Sequence, residues 1–157
     1  MGYTHHFRYE PDRPGFRDGW ARMVLDARRI VDRVQAAGIV IEGFDGAPPV
    51  SDARIAFNGD EEEELDGESF VISPAAGQGV VRTFCKTERF PYDLAVTAIL
   101  LRCRLIAPGA FRFRSDGDWT DDWAQDATYP ATGMSTRGLV TELFGACPAE
   151  SPFADPF

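Results

Sequence analysis

One segment of the sequence is apolar on nearly every side. From Pro91 to Ile106 the chain reads PYDLAVTAILLRCRLI, and its polar side chains are an aspartate, a threonine and two arginines. A helix with apolar side chains around most of its circumference belongs in the interior of a protein. Proline at the first position has a preset backbone angle and leaves no helical amide hydrogen bond unmade. The segment therefore predicts a central buried helix over about 91–106.

A second, amphipathic helix is predicted over about 15–37. Its apolar side chains recur every three or four residues, and arginines and aspartates fill the opposite side. Gly38 follows, and glycine is typical of a helix end. A shorter helix with the same spacing is predicted to start at Ser135.

The other apolar patterns are short and typical of strands. Side chains alternate from Tyr3 to Tyr9, which puts His5 on the same face as Tyr3 and Phe7. Further strands are predicted at 39–42, 54–57, 69–73 and 110–114. Loops rather than helices join several of them, which indicates antiparallel neighbours.

The order of these elements predicts an α+β fold. We expect an antiparallel or mixed sheet of about five strands, with both main helices on one face. At 157 residues the chain is long enough to bury one core. Residues 1–145 are predicted to form a single domain, and 146–157 a proline-rich tail.

The net charge of −9 comes from two short stretches. Residues 58–68 contain seven acids and residues 115–126 contain five, and neither stretch contains a base. The rest of the chain contains thirteen acids and sixteen bases, so it is slightly basic. Because the sequence has no basic stripe, we do not expect nucleic-acid binding. The two acidic loops are instead a candidate surface for a basic host protein.

The sequence predicts a cytoplasmic protein without a metal site or a cofactor. No apolar run approaches the ~20 residues of a membrane span, and MGYTHHFRYE lacks the pattern of a signal peptide. Three cysteines without metal-type spacing favour a reducing compartment. An EF-hand is excluded, because Asp121 and Glu63 stand where its loop requires glycine.

Several residues near the central helix carry reactive side chains, and each has two interpretations. Cys85 beside Lys86 could be a thiolate nucleophile, or a small hydrophobic side chain in the core. Adjacent residues of an extended segment point to opposite faces, so both side chains enter one pocket only if the chain bends there. Asp93 could act chemically, or could cap the helix. His5 could be an acid or base, or a hydrogen-bonded core histidine.

Six motifs occur in order along the chain: GYTHHF, FNGD, GESF, FCKT, PYDLAV and SDGDW. Together they resemble a family of small bacterial proteins, especially actinobacterial ones, and of phage proteins with no established activity. The resemblance singles out polar positions at strand ends and at the start of the central helix. These are Thr4, His5, Asn58, Asp60, Glu68, Cys85, Lys86, Thr87, Tyr92, Asp93, Ser115 and Asp116.

Two roles for these positions remain open: a polar pocket for a small ligand, or a structural network that ties loops to the sheet. In the pocket hypothesis, Lys86 holds an anionic group and His5 is an acid or base that Asp93 or Asp116 orients. The catalytic candidates are thus His5, Lys86, Asp93 and Asp116. The ligand-binding candidates are Glu68, Cys85, Thr87, Tyr92, Asn58 and Asp60.

Two alternatives to a small polar or anionic ligand stay open. One is a phage-type or mobile-element protein that binds a host protein through the loops at 58–68 and 115–126. The other is a structural domain without a ligand. The sequence does not decide whether the protein is an enzyme, because it lacks the short motifs of the common hydrolases, NTPases, dehydrogenases and zinc proteases.

Overall fold

The computed structural model describes residues 2–125 and 132–154. This part of the chain contains three helices and five strands, which confirms the predicted α+β class. In chain order the elements are β1 (Thr4–Tyr9), α1 (Pro14–Ala36), β2 (Ile55–Phe57), β3 (Phe70–Ile72), β4 (Val81–Lys86), α2 (Asp93–Ile106), β5 (Phe111–Ser115) and α3 (Thr136–Phe144).

Helix α2 lies at the centre of the structure, as its composition predicts. All side chains from Leu94 to Leu101 are buried. The helix begins at Asp93 rather than at Pro91, because the chain makes a turn just before it. Helix α1 packs against α2 and buries an apolar stripe that includes Met23 and Ile30. Both predicted main helices are therefore present.

The strands form two antiparallel sheets instead of one. A three-stranded sheet has the order β4-β1-β5, so β1 is its central strand, and β2 pairs with β3 in a separate sheet. In the larger sheet His5 is paired with Cys85 on one side and with Ser115 on the other. This register determines which side chains meet on each face.

Two strand predictions differ from the structure. The stretch predicted as a strand at 39–42 makes a single bridge, from Glu42 to Asn58, before the chain turns away at Gly43. The sequence pattern predicts no strand at β4, where the residues from Phe84 onward are interpreted only as the approach to the central helix. In the structure, Arg82, Phe84 and Lys86 of β4 point outward and alternate with inward side chains. Because the outward Phe84 is apolar, the alternation of apolar and polar residues that predicts a strand is weak here.

The proline-rich tail packs against the sheet as far as the structure describes it. Phe153 contacts Phe113, Trp119 and Trp123, with ring centroids 5.0–5.8 Å apart. The amide of Ala154 donates a hydrogen bond of 2.8 Å to the carbonyl of Phe113. This part of the tail therefore covers the outer edge of β5, whereas the predicted tail residues 155–157 lie outside the described residues.

A buried ion pair joins the two main helices. The carboxylate of Asp26 on α1 accepts hydrogen bonds from Arg102 on α2 at 2.9 Å and 3.0 Å, and from Arg22 at 3.0 Å. The side chain of Asp26 is only 1% exposed. Arg102 also lies over the ring of Phe144, 4.1 Å from its centroid, which ties α3 to the pair.

We expect Asp26→Ala to lower the free energy of unfolding by about 3–5 kcal/mol, because it leaves the largely buried Arg102 without its partner. Urea unfolding followed by circular dichroism measures the change. The exposed Asp32 on the same helix provides a control, and Asp32→Ala should change stability by less than about 0.5 kcal/mol. Equal effects of the two substitutions would contradict the role given to Asp26.

Candidate functional site

The alternation of β1 turns His5 inward, and its side chain is fully buried. One ring nitrogen, Nε2, lies 2.6 Å from Oδ1 of Asp93, in the first turn of α2. The other, Nδ1, lies 2.8 Å from the hydroxyl oxygen of Ser115, at the end of β5. His5 thus joins Ser115 to the carboxylate of Asp93, which lies 88 positions after the histidine in the sequence.

The carboxylate of Asp93 is itself buried and needs several donors. Thr87 donates its hydroxyl proton to Asp93 Oδ1 at 2.6 Å, the same oxygen that His5 contacts. The position at the start of a helix adds the favourable end of the helix dipole. A proton on Nε2 is therefore donated to Asp93, and Nδ1 is then left to accept the hydroxyl proton of Ser115.

Ser115 is the partly exposed end of this hydrogen-bonded line. Its hydroxyl oxygen accepts hydrogen bonds from the amide of Gly117 at 2.9 Å and from the indole nitrogen of Trp123 at 3.3 Å. The amide of Gly117 and the indole of Trp123 donate to the serine oxygen, and His5 accepts its proton. This arrangement favours the development of negative charge on the oxygen of Ser115. We call Ser115, His5 and Asp93 the serine relay.

Aromatic rings enclose the relay. The ring of Tyr3 meets that of His5 edge-on at 5.0 Å, and the indole of Trp123 does so at 6.0 Å. Burial raises the pKa of the Tyr3 hydroxyl well above its usual range, so it stays protonated. Glycine is required at position 117, because a Cβ there would collide with the Tyr3 hydroxyl. The imidazole therefore lies in a largely apolar shell.

One cation stands beside this shell. The guanidinium of Arg89 lies over the Tyr3 ring, 4.0 Å from its centroid, and contacts Asp122 at 3.3 Å. Both Glu88 and Arg89 have left-handed backbones, with φ of 57° and 60°. Such a conformation costs of order 1 kcal/mol or more for a residue other than glycine, and Asp45 and Glu64 also adopt it. The turn places Arg89 next to the relay at a cost in stability.

The structure brings together part of the predicted catalytic set. His5 and Asp93 are in direct contact, and the predicted ligand-binding residue Thr87 joins them. Lys86 is turned to the opposite face of β4, where its amine lies 3.5 Å from Glu88. Asp116 is exposed and accepts a hydrogen bond from the amide of Thr4 at 3.0 Å. The four catalytic candidates therefore do not converge on one cavity.

The other predicted ligand-binding residues form contacts around the first acidic loop. The backbone carbonyl of Glu68 accepts hydrogen bonds from the Tyr92 hydroxyl at 2.6 Å and from the Cys85 thiol at 3.3 Å. The side chain of Asn58 bridges the loop by bonding both the amide and the carbonyl of Gly67. These contacts fasten the loop to β4 and to the start of α2.

The acidic loops themselves are largely exposed. Residues 61–65 are all exposed, and the carboxylate of Asp60 accepts a hydrogen bond from the amide of Glu63. In the second loop Asp118 accepts bonds from the backbone of Thr120 and Asp121, which closes a turn. The last acid of that loop, Asp126, lies outside the described residues.

Sequence reasoning assigns Ser115 no separate role and misses Arg89 and Trp123. The family-like SDG motif does mark Ser115, and the alternation of β1 does place Tyr3 beside His5. No sequence signal identifies Arg89, because its position over Tyr3 depends on the left-handed turn.

Comparison with family models, with curated proteins and with solved structures finds no match. Within residues 2–125 and 132–154, no three side chains of His, Cys, Asp or Glu gather in a way that would hold a metal ion. Across the same residues, none of the helices is long and apolar enough to cross a membrane.

The cysteines are poor nucleophiles in this environment. Burial raises the pKa of the Cys85 and Cys103 thiols well above their usual range, which is the opposite of what a thiolate nucleophile needs. Cys147 is less buried, although burial raises its pKa as well.

We expect Ellman's reagent at about pH 8 to modify Cys147 before the other two cysteines in the native protein. Cys85 and Cys103 should react only after unfolding in guanidinium chloride, because neither thiol is accessible in the folded state. The absorbance of the released thiolate follows the reaction, and Cys147→Ser serves as the control that removes the fast phase. Rapid modification of Cys85 in the native protein would contradict this assignment.

Proposed function

We propose that the protein binds a small anionic ligand at the Ser115 end of the serine relay and exchanges a proton with it. The observation that carries this proposal is the continuous hydrogen-bonded line from a partly exposed serine through a buried imidazole to a buried carboxylate. Such a line can move a proton between a ligand at the surface and a group in the interior.

Stability alone is a weak reason for keeping ionisable groups in the core. Replacing buried charged pairs by well-packed apolar side chains is often neutral or stabilising. Perturbed and buried ionisable groups also cluster at functional sites. The burial of both His5 and Asp93 therefore favours a chemical role over a purely structural one.

Arg89 replaces Lys86 as the group that we expect to hold the anion. Its side chain is 44% exposed, and its guanidinium stands over Tyr3, whose ring contacts His5. Tyr3 thus contacts both the cation and the histidine of the relay. A guanidinium suits carboxylate and phosphate groups, which it can contact through two parallel hydrogen bonds.

A panel of small carboxylates and phosphate monoesters tests binding by thermal shift. At least one compound should raise the melting temperature of the native protein, because a ligand that binds only the folded state stabilises it. The shift should be lost in Arg89→Gln and in Ser115→Ala. Lys86→Gln is the matched control, since it removes the same charge from the other face of β4 and should leave the shift unchanged.

Two results would count against a ligand site. One is a panel without any stabilising compound, and the other is a shift that survives in both Arg89→Gln and Ser115→Ala. Variants that lose the fold rather than the shift would support the structural-network alternative.

A fluorophosphonate probe tests the acid–base part. The Ser115 oxygen should attack phosphorus and displace fluoride while its proton passes to His5 Nδ1, and intact-protein mass spectrometry should detect the adduct. Ser115→Ala should abolish labelling, and Asp93→Asn should slow it about 10-fold or more, because the neutral amide no longer stabilises the imidazolium. Labelling of Ser115 at the same rate in Asp93→Asn would contradict the relay.

A further inference from the structure

The outward face of the three-stranded sheet is strongly basic. Successive side chains of a strand point to opposite faces, so every second residue of β1, β4 and β5 points to solvent. The strand register aligns these outward side chains in rows across the sheet. One row is Arg82, Arg8 and Arg112, the next is Phe84, His6 and Arg114, and Lys86 stands beside Thr4 in a third. We call these residues the basic sheet face.

This face is accessible to a partner. Arg82, Arg112 and Arg114 are exposed, and the side chain of Lys86 is 43% exposed. The ring of Phe84 is 53% exposed and lies 5.9 Å from the ring of His6. This exposed aromatic ring on the edge strand β4 lies between Arg82 and Lys86, which distinguishes the face from an ordinary solvated surface.

In the part of the chain that the structure describes, acids lie at the margins of the cluster. Glu10 contacts Arg8 at 3.7 Å but also pairs with Arg13, and Glu88 contacts Lys86 at 3.5 Å. Asp116 bonds the backbone of Thr4. In the strand rows themselves, the outward positions carry cations, aromatic rings and a threonine rather than carboxylates.

The arrangement is unfavourable for the protein alone. Arg8 lies directly opposite Arg82 on one side and Arg112 on the other. Like charges in directly opposed cross-strand positions are destabilising. A bound polyanion would relieve this repulsion.

We propose that the basic sheet face binds single-stranded nucleic acid. The cations neutralise phosphates, and Phe84 with His6 provides a platform on which unpaired bases stack. A duplex fits less well, because its bases are already stacked and the aromatic ring could not reach them. An acidic protein would match the charge but would not need the exposed ring.

This proposal departs from the expectation drawn from the sequence. That expectation assumes that the chain has no basic stripe, yet folding assembles one from positions 8, 82, 86, 112 and 114. The net charge of −9 is compatible with it, because charges beyond about 8–10 Å are screened at physiological salt. The face is also separate from the serine relay, which lies on the inward side of the same sheet.

Fluorescence anisotropy with labelled oligonucleotides of uridine and of thymidine, about 12 nucleotides long, tests the proposal. We expect binding at about 50 mM KCl that weakens roughly 20-fold at about 200 mM, as neutralisation of about three phosphates predicts.

Phe84→Ala should weaken binding about 5-fold or more through lost stacking. Arg82→Gln combined with Arg112→Gln should weaken binding and flatten its salt dependence. All three positions are exposed, so the variants should fold, and the double arginine variant should melt at the native temperature or slightly above it, because the repulsion of Arg8 is removed.

Charge-matched and ligand-matched controls make the result decisive. Arg28→Gln combined with Arg33→Gln removes the same charge from α1 and should leave binding unchanged. A duplex of equal length and poly-glutamate should bind more weakly than the single strands. The proposal is overturned if neither oligonucleotide binds at the lower salt concentration. It is also overturned if the α1 control weakens binding as much as the sheet variants, or if the duplex or poly-glutamate binds as tightly as the single strands.

Discussion

The hydrogen bond between His5 and Asp93 is the contact on which the rest of the arrangement depends. It joins the central strand of the sheet to the first turn of the buried helix across 2.6 Å. Thr87, directly after β4, and Ser115, at the end of β5, form hydrogen bonds with the same pair. All three strands of the larger sheet therefore meet the helix at one polar point within an apolar interior. Because a buried polar group is costly when it lacks partners, this point specifies how the sheet and the helix fit together.

The same strand supplies two faces of opposite character. On β1, His5 points into the core and the adjacent His6 points to solvent beside Phe84. A shift of the register by one residue would exchange the two sets of side chains. The pairing of β1 with β4 and β5 therefore positions both the serine relay and the basic sheet face, and the two proposed activities share one structural cause.

The sequence is most informative where a pattern repeats over many residues. The continuous apolar run of α2 and the alternation of β1 need no knowledge of distant partners, and both are confirmed. The sequence can suggest that His5 meets Asp93, but it cannot establish the contact, which depends on strand order. Lys86 is a different case, because the alternation that turns Cys85 inward already places the lysine on the outer face. Arg89 could not be found, since its position depends on a left-handed turn that sequence rules assign mainly to glycine.

Two features of the sheet reduce the stability of the folded protein, and they lie on different sides of it. The left-handed residues Glu88 and Arg89 hold a cation beside Tyr3 near the relay, and the row of Arg82, Arg8 and Arg112 places like charges opposite one another on the outer face. A sequence selected for stability alone would place glycine in the turn and alternate the charges across the strands. Strained residues and buried polar groups cluster at functional sites, where binding can offset their cost. In the two proposals, a small anion at the inner site and a polyanion at the outer one would each offset one of these costs.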